Sequence, residues 1–116
     1  MYKYFTQFFS RNGIKNLQRI YLNQNLLESF PEGLAELKDI LSIEISHNKI
    51  YTFPDSIGKM QRLQILNLNF NKITSLPESI GELNKLTTFY LKRNPFPRTE
   101  QDKVKKLMPN CRIYWD

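Results

Sequence analysis

A chain of 116 residues is long enough for one domain with a buried core, and its hydrophobic fraction of 41% is sufficient to fill that core. No apolar run approaches the roughly 18 residues of a membrane span, and a single cysteine, Cys111, excludes an internal disulfide bond and a cysteine-cluster zinc site. The net charge of +6 is concentrated at the two ends, with +4 in residues 1–19, +5 in residues 92–112 and −2 in residues 20–91, which argues against the continuous basic stripe of a nucleic-acid-binding protein.

The first segment, residues 1–16, is aromatic, and Phe5, Phe8 and Phe9 recur at helical spacing. We predict that it is an N-terminal cap or a degenerate half-repeat that shields the first strand. Two alternatives stay open: self-association of chains through this end, and contact with a membrane. The segment lacks the apolar stretch and cleavage site of a secretory signal, which favours the cytoplasm by default. A secreted or surface location stays open, because a mature form would have lost such a signal.

From residue 17 onward, one frame of apolar residues around an asparagine recurs every 23 residues. A period of this length indicates a stack of one supersecondary unit. The four frames are Leu17-x-x-Ile20-x-Leu22-x-x-Asn25-x-Leu27, Ile40-x-x-Ile43-x-Ile45-x-x-Asn48-x-Ile50, Leu63-x-x-Leu66-x-Leu68-x-x-Asn71-x-Ile73 and Leu86-x-x-Phe89-x-Leu91-x-x-Asn94-x-Phe96.

Each frame opens with alternating apolar and polar residues, as in Ile20 and Leu22, which predicts a short strand. The asparagine that follows offers two donors and one acceptor. We therefore predict a buried ladder of asparagines that satisfies the backbone where the chain leaves each strand, formed by Asn25, Asn48, Asn71 and Asn94. Asn23, two residues before Asn25, is expected to face solvent and to add little stability.

The second half of each of the first three repeats contains a proline that is directly followed by an acidic residue: Pro31-Glu32, Pro54-Asp55 and Pro77-Glu78. This pairing is typical of the first turn of a helix. Apolar residues then recur three apart, which predicts about two turns of α-helix or 3₁₀ helix. Strands on one face and helices on the other make an α/β solenoid, with the parallel sheet on its inner side.

These residues resemble the 23-residue class of leucine-rich repeat proteins, with the pattern L-x-x-L-x-L-x-x-N-x-L-x-x-L-P-x-x-I-x-x-L. The end of the chain, from Asn94 to Cys111, is similar to the C-terminal caps of small bacterial members from pathogenic spirochaetes. The resemblance implies a curved solenoid of four repeats with terminal caps. The expected division is residues 1–16 as N-terminal cap, 17–39, 40–62, 63–85 and 86–98 as repeats, the last partial, and 99–116 as C-terminal cap.

Within the C-terminal segment, Thr99-Glu100-Gln101-Asp102 predicts a capping box that opens a helix. The alternation of Cys111, Ile113 and Trp115 then predicts one final strand with an apolar side. Cys111 is accordingly expected to be a buried small hydrophobic residue and not a nucleophile.

Outward strand residues form four columns across the repeats, on what we call the concave face, the solvent side of the sheet. Their size, charge and aromaticity vary, and exposed aromatics beside arginine are typical of binding hot spots. We predict that this face binds a protein partner of unidentified kind, with Tyr21, Tyr90, Phe70 and Arg93 as anchors. The candidate residues are Arg19, Tyr21, Asn23, Glu44, Ser46, His47, Ile65, Asn67, Asn69, Phe70, Thr88, Tyr90, Lys92 and Arg93.

A catalytic site has little support, because His47 is the single histidine and no metal-ligand set, nucleophile triad or phosphate-binding glycine loop is present. The sequence therefore predicts a non-catalytic interaction module without cofactor or metal. The resemblance to pathogen proteins extends this expectation to a host protein as partner. The alternative is a structural unit that assembles with copies of itself through its aromatic N-terminal end.

Overall fold

The computed structural model describes residues 17–116, which form a parallel sheet of five strands in chain order. The register pairs equivalent residues of successive repeats, as in Ile20 with Ile43. The predicted solenoid of parallel strands is thereby confirmed, whereas the predictions for residues 1–16 lie outside the described residues. The strands are β1 (Arg19–Tyr21), β2 (Ser42–Glu44), β3 (Ile65–Asn67), β4 (Thr88–Tyr90) and β5 (Arg112–Tyr114).

In the first three repeats, the second half of the repeat forms a 3₁₀ helix of five residues. This is one of the two helix types that the sequence predicts. Each helix follows a proline that serves as its N-cap, directly before the first turn in which the sequence pattern placed it. The fixed φ of Pro31, −62°, lets its carbonyl accept the first i→i+3 bond, from the Leu34 N–H at 3.1 Å. The bounds are Glu32–Glu36, Asp55–Lys59 and Glu78–Glu82 for the first, second and third helix.

The core lies between the sheet and the 3₁₀ helices, and it repeats with the sequence frame. The inward strand residues Ile43 and Leu66 are completely buried, as are the helix residues Leu34, Ile57 and Ile80. Each such side chain contributes about 1.5–3 kcal/mol on leaving water. Since no residue of one repeat can be enclosed by that repeat alone, the core is built from contacts between neighbours.

At the C-terminal end, an α-helix, α1 (Arg98–Leu107), packs on the third 3₁₀ helix and buries Val104. The expected capping box is wrong: the helix begins at Arg98, Pro97 is its N-cap, and Thr99 lies within the first turn. Because Pro97 already offers its carbonyl to the Glu100 N–H at 3.0 Å, a side-chain cap is not needed to start the helix. The predicted final strand is confirmed as β5, which pairs with β4.

The buried asparagine ladder connects each repeat to the one before it. The Asn71 amide nitrogen donates to the carbonyls of Ile45 and Leu68, at 3.0 Å each, and its side-chain oxygen accepts the Ile50 N–H at 3.0 Å. Ile45 and Ile50 belong to the preceding repeat. One side chain therefore satisfies backbone groups that the turn would otherwise leave unpaired. Asn48 and Asn94 form the same set of bonds.

Asn25 does not belong to the buried ladder, which corrects the expectation for the first repeat. Its side chain is exposed, and it donates within its own turn, to the carbonyls of Leu22 at 2.9 Å and Asn23 at 3.1 Å. The reason is positional, since no earlier turn within the described residues lies against it.

We expect Asn71→Ala to lower the free energy of unfolding by about 2–4 kcal/mol, because it orphans the buried Ile50 N–H and removes one of the two amide donors from each of the buried Ile45 and Leu68 carbonyls. Asn25→Ala is the matched control and should cost less than about 1 kcal/mol, since the Leu22 carbonyl keeps its bond from the Asn48 amide and the Asn23 carbonyl is exposed. Urea denaturation of the two variants measures the difference. Equal losses would contradict the inter-repeat role of the ladder.

The second and third 3₁₀ helices approach most closely at Gly58. A β-carbon at this position would lie 2.9 Å from the Ser79 carbonyl oxygen and 2.6 Å from Glu82 Oε1. At Gly81, the nearest atom would be the Leu107 carbonyl oxygen at 3.2 Å. The backbone contact at Gly58 therefore leaves no space for a β-carbon. At Gly81 a β-carbon would fit after a small shift of its neighbour.

We expect Gly58→Ala to destabilise the protein by about 1–3 kcal/mol, although alanine ordinarily improves a helix. Gly81→Ala should cost less, because its neighbour needs to move by only a few tenths of an ångström. Thermal and urea unfolding of both variants test the order. A Gly58→Ala protein more stable than the parent would show that the helices have room to separate.

Candidate functional site

The strand alternation brings the predicted site residues to one face of the sheet. All of them except Ser46 are exposed or half-buried. The most exposed large apolar side chains on this face are Tyr21 at 64%, Phe70 at 45% and Ile65 at 37%. Tyr21 belongs to the first repeat and Ile65 and Phe70 to the third, so a ligand that touched them all would have to cross the strands.

Ser46 corrects the list of candidate residues, because it is 9% exposed and not open to a partner. Its hydroxyl donates to Asn23 Oδ1 at 3.0 Å, and its backbone N–H donates to the same oxygen at 2.7 Å. A short side chain held against the neighbouring repeat is covered by it. Outward direction along a strand did not, in this case, produce exposure.

Several polar residues of the concave face support the backbone. Asn23 is exposed as expected, yet its side-chain oxygen accepts both bonds from Ser46, so the expectation that it adds little stability is not supported. Asn69 Oδ1 likewise accepts the Lys92 N–H at 2.8 Å, and Asn67 Oδ1 accepts the Asn69 N–H at 3.0 Å. These asparagines connect the repeats on the solvent side, as the ladder does inside.

Residues at the strand exits have a backbone conformation that the sequence pattern did not reveal. Gln24, His47, Phe70 and Arg93 all have φ between 57° and 61°, in the left-handed region. Their N–H groups pair with the next repeat, as in Phe70 N to the Lys92 carbonyl at 2.9 Å. This conformation costs a non-glycine residue about 1–3 kcal/mol, and a bulky aromatic is unusual in it.

The side chains at these exits stack across the strands. The rings of His47 and Phe70 lie 4.3 Å apart at an angle of 11°, and the Arg93 guanidinium carbon lies 6.0 Å from the Phe70 ring centre. Phe70 thus packs against both a histidine and an arginine, and it is still 45% exposed. We call His47, Phe70 and Arg93 the exit stack.

A second stack joins β4 and β5 and includes residues that sequence reasoning missed. Tyr90 and Tyr114 lie 4.9 Å apart at an angle of 14°. Arg112 and Tyr114 extend the first two columns, because β5 pairs Thr88 with Arg112 and Tyr90 with Tyr114. The signal was present: Cys111, Ile113 and Trp115 face inward, so the residues between them had to face outward.

Asp116 completes the hydrogen bonding at the last strand exit. Its carboxylate oxygens accept the Arg93 N–H at 3.0 and 2.9 Å, where earlier repeats use a backbone carbonyl of the next repeat. The same carboxylate lies 3.8 Å from Arg93 Nε. The side chain therefore substitutes for the missing carbonyl and holds Arg93 near Phe70.

The geometry does not assemble reactive groups. Within residues 17–116, no three His, Cys, Asp or Glu side chains cluster as a metal site would require, and no helix is long and apolar enough to cross a membrane. Burial raises the pKa of the half-buried Cys111 thiol to about 11. A thiol with a raised pKa is a poor nucleophile at neutral pH, in agreement with a packing role.

Comparison with known proteins places these features among repeat proteins. A family model described as leucine rich repeat matches residues 42–96. The chain is similar to a leucine-rich repeat protein of Leptospira interrogans, with a TM-score of 0.85 and 32% identity over 90% of this chain and 26% of that one. Internalin C2 of Listeria monocytogenes has the same fold, with a TM-score of 0.72 and 22% identity over 90% and 44% of the two chains.

The chain therefore spans about a quarter of the Leptospira protein and less than half of internalin C2. A search of curated proteins finds no match.

We expect Cys111 to resist alkylation in the folded protein. With a pKa of about 11, about one thiol in 1,000 is ionised at pH 8, whereas an exposed thiol is ionised to a substantial fraction. Mass spectrometry after iodoacetamide treatment at pH 8 should show labelling at least about 10-fold slower than in denaturing urea, because the more nucleophilic thiolate offsets part of the lower ionised fraction. Equal rates in the two conditions would mean that Cys111 is an accessible, ionised thiol.

Proposed function

Because this chain is a leucine-rich repeat protein, we propose that it is a binding module that holds a protein partner on its concave face. Leucine-rich repeat proteins and their structural neighbours generally mediate protein–protein interactions. The choice of face and residues is supported by the side chains that packing does not require. Among these, the exit stack carries the proposal.

The position of Phe70 is costly for the fold and is better suited to another residue. Its backbone has a φ of 59°, which asparagine or glycine adopts with less strain, and 45% of the side chain is exposed. An exposed aromatic ring in a strained conformation gains little from burial. Strain of this kind is concentrated at functional sites, and it supports a role for the ring outside the fold.

The neighbouring residues are of the types found in binding hot spots. Phe70 is flanked by Arg93, and Ile65 in the same repeat adds apolar surface that is 37% exposed. Tyr90 lies one strand further on, stacked on Tyr114. Aromatic and arginine side chains that are pre-ordered by stacking lose little conformational freedom on binding, which favours affinity.

The size of the sheet limits what it can hold. Five strands about 4.8 Å apart span roughly 19 Å, so the concave face offers a few hundred Å². This is less than the roughly 800 Å² per partner of a standard interface. We therefore propose that the partner presents a short segment or a small epitope and not a broad globular surface.

The test is Phe70→Asn, which removes the aromatic ring and suits the left-handed backbone. The loss of the contact with His47, about 0.5–1.5 kcal/mol, opposes the relief of strain, so stability should change by less than about 1 kcal/mol. Affinity for a peptide selected on the parent protein from a displayed library of random 12-residue sequences should fall at least about 10-fold. Fluorescence anisotropy measures affinity, and urea unfolding measures stability.

The matched control is Leu26→Asn, which removes an apolar side chain that is 77% exposed on a turn outside the strands. Its effect on affinity should be less than about 2-fold. If the library yields no binding sequence, or if the Leu26 variant loses as much affinity as the Phe70 variant, the concave face is not the binding surface.

A further inference from the structure

Building on the proposed binding function, we infer that the C-terminal half of the concave face takes an acidic, extended peptide segment of its protein partner. We call this surface the basic half, formed by Tyr90, Lys92, Arg93, Arg112 and Tyr114. Its charge, its free donors and its aromatic edges all favour carboxylates.

The charge of the basic half is largely uncompensated. Lys92 and Arg112 are exposed, and no carboxylate of residues 17–116 lies within 4.0 Å of either cation. The acidic residue of this region, Asp116, is occupied by the Arg93 N–H and guanidinium. Lys92 and Arg112, in neighbouring repeat units, are therefore available to a ligand. No carboxylate of the described residues competes with the ligand for these two cations.

The tyrosines add donors to these cations. Tyr90 and Tyr114 are stacked face to face at 4.9 Å, so each covers one face of the other ring. Neither phenol hydroxyl has a hydrogen-bond partner among the described residues. The edge of an aromatic ring is electropositive, and a phenol hydroxyl donates a hydrogen bond, so both groups are complementary to a carboxylate.

The rest of the surface directs an acidic segment to this half. In the N-terminal half, Glu44 is paired with Tyr21 in the strand register and brings a negative charge to the concave face, and its Oε1 accepts a bond from the Asn67 amide at 3.0 Å. On the opposite side of the molecule, acids outnumber bases in the 3₁₀ helices, with Lys59 against Glu32, Glu36, Asp55, Glu78 and Glu82. An acidic ligand is repelled from that side and attracted to the basic half, which also fixes its orientation.

The dimensions fit an extended chain. A segment that crosses the roughly 19 Å of the sheet at about 3.3 Å per residue contains about six residues. The two strands β4 and β5 with their exits would contact two or three of these residues. The partner segment should therefore carry its acidic residues together at one end, with apolar residues toward Phe70 and Ile65.

Single-stranded nucleic acid is the other polyanion that combines with basic and aromatic residues, but the geometry favours a peptide. Bases bind by stacking on free ring faces. In both stacks one face of each ring is already covered, His47 by Phe70 and Tyr90 by Tyr114, and Arg93 lies over the Phe70 ring, so less ring surface is open to a base. Three cations within two strands also form a patch for two or three carboxylates and not a track along a phosphate backbone.

The test is a charge inversion of the basic half, Lys92→Glu with Arg112→Glu, read out by peptide selection. The parent protein should enrich sequences of the 12-residue library that contain an excess of Asp and Glu, and the variant should enrich an excess of Lys and Arg. The best parent-selected peptide, synthesised with a fluorescent label, should bind the variant at least about 10-fold more weakly. Raising the salt concentration should weaken its binding to the parent protein.

The control is Lys59→Glu with Lys85→Glu, which changes the net charge by the same amount away from the concave face. It should still select acidic peptides. Urea unfolding verifies that both variants are folded. If the charge-inverted variant does not fold, Lys92→Gln with Arg112→Gln is used in its place.

Neutral or basic peptides that lose affinity in Phe70→Asn would overturn the acidic preference and leave the binding function standing. Selected peptides whose affinity is unchanged by Phe70→Asn and by the charge inversion would overturn both the binding function and the acidic preference. A 12-nucleotide oligothymidylate that binds the parent protein more tightly than the selected peptide, and loses affinity in the inverted variant, would assign the surface to nucleic acid and overturn the inference.

Discussion

The amide side chains of Asn48, Asn71 and Asn94 impose the geometry on which the other features depend. Each donates to three backbone carbonyls and accepts one backbone N–H, and some of these groups belong to the preceding repeat. The chain can therefore leave every strand at the same point, without leaving buried polar groups unpaired. Each amide can form these bonds only when the two repeats lie at one fixed separation, so the amides also determine the register of the parallel strands. Equivalent residues of successive repeats are thereby aligned in columns.

This constraint explains why the concave face combines support with variation. The strands and turns must be identical in geometry, and residues such as Asn23 and Asn69 accept backbone N–H groups from the next repeat. The left-handed exits are part of the same turn, so even Phe70 takes a backbone that suits asparagine better. The fold does not restrict the chemical type of the outer side chains. Among these side chains, the aromatic residues of the two stacks are the ones that the fold requires least.

The unequal distribution of charge follows from the same division of the repeat. The second half of the repeat begins with an acidic residue after each proline, as in Glu32 and Asp55, where a negative charge suits the start of a helix. The concave face is free of that demand and is basic around Lys92 and Arg112. The net charge of +6 therefore describes neither of these two surfaces.

By itself, the 23-residue period determined the parallel sheet, the short helices, the buried frame and the final strand, and the resemblance to bacterial leucine-rich repeat proteins that it suggested is confirmed. It could do so because strand alternation and asparagine chemistry are local and repeated. The tertiary structure alone decided which outward residues are open. Ser46 is covered because a neighbouring repeat reaches it, Asn25 is exposed because no earlier repeat within residues 17–116 encloses it, and Tyr114 joins the surface through pairing across 24 residues. Exposure and stacking depend on side chains from other repeats, and no pattern within one repeat contains that information.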